Sequence, residues 1–149
     1  MSTKEIEAYI VNVETEASLA APLENQKALI KVTAQSGEST GEVDFIDGFF
    51  RGRLELLRLA ADEFSLLAGF CDIALHELTS EGGISLGLLR QMLKLEGGIA
   101  LFVGARGGEK PAVQLELGEQ HVLLLSLKQA KSFALLCRNA AAIIRNGEK

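Results

Sequence analysis

Apolar and polar residues alternate along much of the chain, and two stretches switch to a helical period. Ala28–Gln35 alternates most cleanly: Ile30, Val32 and Ala34 face a core, while Leu29, Lys31, Thr33 and Gln35 face outward. Glu5–Glu14 is rich in β-branched and aromatic residues, which fit a pleated sheet better than a helix. Thr15–Gln26, with Pro22 and Asn25, reads as a loop. The turn Ser36–Gly41 leads into a short strand, Glu42–Asp47, with Val43 and Phe45 inward. Asp47-Gly48 then turns the chain into a strand over Phe50–Leu59. Phe64, Leu67, Cys71, Ala74, Leu75 and Leu78 recur every three or four residues and predict a helix from about Ala60 to Leu78. Gly69 within it costs about 1 kcal/mol relative to Ala, which close approach of another backbone would offset.

The second half begins ambiguously. In Ile84–Leu95, Ser85 could cap a helix that Gly97-Gly98 would stop. A repeat of the first half asks instead for a strand, and the strand is the preferred reading. Ile99–Arg106 is a strand with Leu101, Val103 and Ala105 inward, ended by the turn Gly107–Pro111. Ala112–Leu117 and His121–Leu127 form a hairpin across Gly118–Gln120, and a last helix runs from about Lys128 to Arg145.

The two halves resemble each other. Val32, Ala34, Gly37 and Glu38 match Val103, Ala105, Gly108 and Glu109. Further on, Val43–Gly48 lies against Val113–Gly118, Arg53–Leu59 against His121–Leu127, and Phe64–Leu75 against Phe133–Ile144. The shared order is the argument, because order is what a duplicated structural unit preserves. The pattern predicts an α+β fold of two internal repeats, each three to four antiparallel strands followed by a long helix. With 149 residues, the repeats share one core in a single domain, 1–149, built of pseudo-repeats 1–81 and 82–147.

Composition narrows the function. An apolar fraction of 48% with 23% charged residues is ordinary for a globular protein. No apolar run approaches the roughly 20 residues that span a bilayer, and the N-terminus lacks a signal-peptide pattern, so no membrane association and a cytoplasmic location are expected. The net charge of −5 opposes indiscriminate binding to nucleic acid. Cys71 and Cys137 fall on apolar helix faces and read as buried thiols rather than a disulfide. Neither they nor His76 and His121 have metal-site spacing, so no metal or cofactor is expected. Gly104–Lys110 lacks the Gly-Lys-Ser/Thr and following helix of a phosphate loop, and no nucleophile elbow or zinc-protease helix occurs. The reading is non-enzymatic.

Val122–Leu136, an apolar strand running through Ser126-Leu127 into a helix, resembles the last strand and helix of whirly-type proteins, the group that includes the single-stranded-DNA-binding coactivator positive cofactor four. That resemblance implies a four-strand-plus-helix unit, duplicated or doubled by dimerisation, that binds single-stranded nucleic acid on its sheet. The matching candidates here are the outward Lys31, Arg53, Phe102 and Arg106, with Arg51 at a strand edge and Lys110 in the following turn. Cations with an aromatic suit stacked bases and phosphates. Asp44, Glu55 and Glu116 share the outward parity and dilute the field. Leu57, Leu123 and Leu125 also fall outward, which points to a sheet covered by another chain and hence to a homodimer or higher oligomer.

The helices add a charge pattern. Lys128, Lys131, Arg138 and Arg145 form a basic stripe on the second helix, and Asp62, Ser65, Asp72 and His76 a mostly acidic one on the first. These are solvated faces, complementary surfaces between subunits, or a track for a nucleic-acid backbone. The leading expectation is a single-stranded nucleic-acid-binding protein; the alternative is an acidic oligomeric scaffold or adaptor that binds another protein. Convergence of Lys31, Arg51, Arg53, Arg106 and Lys110 favours the first, and their scatter the second.

Overall fold

Alternation and turn chemistry divide the described residues into ten elements. A computed structural model describes residues 5–17, 26–47, 53–79, 90–107, 111–117 and 121–147. The first half contains β1 (Glu5–Ala17), β2 (Gln26–Gln35), β3 (Thr40–Asp47), β4 (Arg53–Ala60) and α1 (Ala61–Thr79). The second contains β5 (Arg90–Leu95), β6 (Gly98–Arg106), β7 (Ala112–Leu117), β8 (His121–Leu125) and α2 (Leu127–Gly147). The fold is therefore α+β, with four antiparallel strands and a long helix given twice. Arg90–Leu95 is a strand, as the repeat required; positions 84–89 lie outside the described residues.

The strands form one sheet in the order β4-β3-β2-β1-β8-β7-β6-β5. The halves join where Glu14–Ala17 of β1 pair with His121–Leu124 of β8. This pairing carries β1 to Ala17, into the stretch expected to be a loop, because backbone N–H and C=O groups opposite β8 find partners there. β5 has no such extension. It stops at Leu95 and turns through Glu96-Gly97 into β6, with Gly97 and Gly98 at φ of 100° and 135°. Such backbone suits glycine, which has no Cβ to clash.

One core serves both halves. Ile30, Val32, Ala34, Val43 and Phe45 from the first half and Leu101, Val103 and Ala105 from the second are buried on the parity the alternation predicted. The helices exchange places over it: α1 packs chiefly on β6, while α2 packs on β2 and β1. Each helix thus buries its stripe against the strands of the other repeat. The predicted α1 stripe is buried from Phe64 to Leu75, with Leu78 packed at its margin.

Three expectations change. Leu57, Leu123 and Leu125 are core residues at 4%, 0% and 0% exposure, and do not face outward. In β4 the cause is a register shift: Arg53 pairs with Ile46 but Glu55 with Phe45, so Arg53 and Leu57 lie on opposite faces despite their even spacing, and Glu55 takes the parity of Phe45. In β8 the cause is composition. Val122–Leu125 is apolar throughout, and only pairing of Leu123 with Leu115 and Leu125 with Val113 fixes the face. The repeat register also changes. Burial equates Leu57 with Leu123, Leu59 with Leu125, Leu67 with Phe133, Cys71 with Cys137 and Ala74 with Ala140, one constant shift that replaces the match of Phe64 to Phe133. Finally, among the described residues no backbone of another element approaches Gly69, where a Cβ would meet nothing within 4 Å outside its own helix.

The helix starts obey the same correspondence. Ser126 and Gln129 form a reciprocal capping box, Gln129 N–H to Ser126 Oγ at 3.1 Å and Ser126 N–H to Gln129 Oε1 at 2.9 Å. At α1 the Ala60 N–H donates to Glu63 Oε1 at 2.8 Å. Cys71 and Cys137, equivalent in the repeat, are both free thiols with no exposed surface. Burial pushes the Cys71 thiol up to about 12, tempered by the charge of Arg138. Burial, reinforced by neighbouring Cys71, also raises Cys137 well above the usual thiol range.

Two predictions follow from this packing. A Cβ on Gly41 would lie 2.5 Å from the Thr33 carbonyl oxygen and 3.0 Å from the Phe64 ring. Gly41→Ala should therefore lower stability by about 1–3 kcal/mol, whereas Gly69→Ala should raise it by about 0.5–1 kcal/mol; urea unfolding measures both. The thiols give a pH dependence. Their raised folded values mean that their contribution is intact below the ordinary value of 9.0 and is lost as pH rises toward about 12, because the unfolded chain releases protons the folded one retains. Unfolding midpoints across that range should fall more steeply for the wild type than for a Cys71→Ala/Cys137→Ala variant.

Candidate functional site

The outward sheet face carries the expected cations, and Lys31 and Arg53 have acidic company there. Lys31, Asp44 and Leu56 stand in one cross-strand row over β2, β3 and β4. Arg53 reaches Asp44 with both arms of a fork, Nε to Oδ1 at 2.8 Å and a terminal nitrogen to Oδ2 at 3.0 Å. That hydrogen bond and charge hold the guanidinium above its usual range. Arg58 Nε lies 3.7 Å from Glu42. On the other half, Phe102 is half-buried on β6 between Met92 and Glu116, and Arg106 is exposed opposite Ala112.

Strand order separates these groups. β1, β8 and β7 intervene between Lys31 on β2 and Arg106 on β6. At roughly 4.8 Å per strand they are about 19 Å apart around the sheet. Arg51 and Lys110 lie outside the described residues. Among the described residues, the candidate cations are spread over both halves and interleaved with carboxylates.

The acidic and basic helix stripes meet each other within one chain. Arg138 forms an ion pair with Asp72, and an Arg145 terminal nitrogen lies 2.9 Å from Asp62 Oδ1. These pairs set α1 and α2 antiparallel, with Asp72 and Arg138 equivalent in the repeat. Lys128, Lys131 and His76 are exposed on the same outer surface. The stripes were legible in the sequence; the exposed apolar residues beside them were not singled out. Leu66 and Ile73 on α1, two turns apart, are 47% and 42% exposed, and Leu135 on α2 is 57% exposed. Their sequence signal was a second apolar spacing out of phase with the buried stripe.

A cleft of about 290 Å³ opens between the two outer strands of the sheet. Glu55–Leu57 of β4 form one wall and Leu95–Ala100, the β5–β6 turn, the other. Ile99 is 51% exposed at its mouth. The Leu56 N–H donates to the adjacent Glu55 Oε1 at 3.2 Å. Among the described residues no group of three or more His, Cys, Asp or Glu could hold a metal ion, and no helix is long and apolar enough to cross a membrane.

The helix ion pairs are half-exposed or more, so their contribution is small and screened. Arg138→Glu should destabilise by no more than about 1 kcal/mol, lose that effect at high salt, and be relieved by Asp72→Arg in the double variant; thermal unfolding of the four proteins measures the coupling.

No family model matches the chain, and no curated protein matches it. A solved structure is similar in overall shape: SsgB, from work on mutations that correlate to longitudinal cell division during sporulation of Streptomyces coelicolor. It shares 10% identity over 94% of this chain and 89% of that chain, with a TM-score of 0.48.

Proposed function

We propose that the chain is a non-enzymatic, acidic scaffold of the cytoplasm that associates with a second copy through the outer face of its helix pair and binds another protein. The observation that carries this reading is the concentration of Leu66, Ile73 and Leu135 on one helical surface. Large apolar side chains gathered at that exposure mark a contact surface. A second copy suits it because two-fold docking sets α1 of one copy, with Leu66 and Ile73, against α2 of the other, with Leu135. Asp62 and Asp72 are engaged by Arg145 and Arg138 within each chain, so apolar contact carries the association more than charge does. The two buried free thiols accord with a reducing compartment.

Light scattering during size-exclusion chromatography tests the association. The wild type should elute at twice the chain mass, and Ile73→Asp/Leu135→Asp at the chain mass with unchanged circular dichroism. A wild type that remains monomeric at high concentration would sink this reading.

The whirly-like, single-stranded nucleic-acid reading stands second. It is favoured by Lys31, Arg53, Phe102 and Arg106 all lying on the outward sheet face. It is weakened by their separation and by the paired acids. Fluorescence anisotropy of a labelled single-stranded DNA separates the two. The scaffold reading expects no saturable binding even at low salt. Saturable binding that weakens steeply with salt and is abolished by Lys31→Glu/Arg106→Glu would install the nucleic-acid reading instead.

A further inference from the structure

The repeat relates β1 to β5 and β8 to β4, so the sealed junction between β1 and β8 has a counterpart between β5 and β4. The first junction is a ladder of four residue pairs, with Glu14–Ala17 against His121–Leu124. Among the described residues the second is not paired: β5 ends at Leu95, where β1 continues. Under the correspondence of Leu57 with Leu123, the β4 residues that would receive the missing extension are Glu55–Arg58. The cleft is walled on one side by Glu55, Leu56 and Leu57 and on the other by the tight turn that stands in place of the extension. It is the unfilled equivalent of the last four residues of β1.

A second observation points the same way. The Leu56 amide donates to a carboxylate on the adjacent residue of its own strand, Glu55. An edge N–H needs an acceptor, and Glu55 supplies one where a neighbouring strand would offer a carbonyl. An incoming strand would replace that bond and release the carboxylate for an ion pair. Among the described residues, the charged side chains lining the cleft are Glu55 and Glu96, beside aliphatic Leu56, Leu95 and Ile99, while Arg58 at the end of the receiving edge is turned to Glu42.

From these features we infer that the cleft between β4 and the β5–β6 turn takes an extended segment of a partner protein, about four residues long, in which lysine or arginine alternates with aliphatic residues, added as a strand to the β4 edge. Backbone pairing holds the segment and the alternating side chains give specificity, as in other strand-addition sites. The inference rests on the scaffold reading for its biological sense, and it names the chemistry of the partner. Its geometry does not depend on the helix face.

The test uses a short fluorescein-labelled peptide of alternating lysine and valine with blocked ends, titrated into the full chain. Anisotropy should saturate with a Kd of about 10–100 μM, a range suited to a short strand. Amide resonances should shift at Leu54–Leu57 and Leu95–Ala100. Glu55→Lys should weaken binding about tenfold or more, consistent with loss of an ion pair and gain of repulsion. A peptide of alternating glutamate and valine should not bind, and neither should the lysine peptide with its pairing amides methylated. The Ile73→Asp/Leu135→Asp variant should bind the peptide like the wild type, so that failure of helix-face association and failure of the cleft give different results. Absence of saturable binding, equal binding of the acidic or methylated peptide, or shifts confined to other strands would each overturn the assignment.

Discussion

Each helix covers the other repeat's strands, and the rest of the architecture depends on that exchange. A four-stranded sheet with an apolar face is unstable in water until something buries that face. Here α1 leaves β4 and crosses to β6, while α2 leaves β8 and crosses to β2 and β1. Neither repeat therefore completes its own core. The helices pass each other antiparallel at the centre of the repeat, where the matched Cys71 and Cys137 are buried and the matched Asp72 and Arg138 pair at the surface. Small side chains dominate the buried stripe of α2, with Ala130, Ala134, Cys137, Ala140 and Ala141 among them. Such a stripe permits close packing.

Where one face of a strand is buried and the other wet, the fold was readable from the chain. Ile30, Val32 and Ala34 alternate with Lys31 and Thr33 because water and core make opposite demands on neighbouring positions. The α1 stripe is readable for the corresponding helical reason. β8 was unreadable because every position from Val122 to Leu125 is apolar, so alternation carries no information. β4 misled because a register shift near Arg53 reverses parity partway along it. Both errors placed core leucines on the surface and lent false support to a covered sheet.

For the candidate site, faces were legible and distances were not. Lys31, Arg53, Phe102 and Arg106 do point outward. Their separation follows from the sheet order, which is set by the pairing of β1 with β8 between opposite ends of the chain. No local pattern encodes that pairing. The helix stripes were likewise visible as charge, but whether they met within a chain or between chains depended on the same long-range closure. Once Asp62 and Asp72 are engaged by Arg145 and Arg138, what distinguishes the outer helical surface is its leucines and isoleucine more than its charge.

The crossing of the helices also sets a constraint in time. When α1 has been synthesised, the strands it must cover, β6 above all, have not. The face of β2 that α2 will bury stays wet until α2 is made. The first half is thus committed to wait with apolar surface exposed, because its stabilising contacts are separated from it by much of the sequence. Closing such distant contacts is slow, and unpaired strand edges are prone to aggregate meanwhile. For this chain, the interval between making β1 and making β8 is the interval of greatest hazard, and a cell that slows translation there lengthens it.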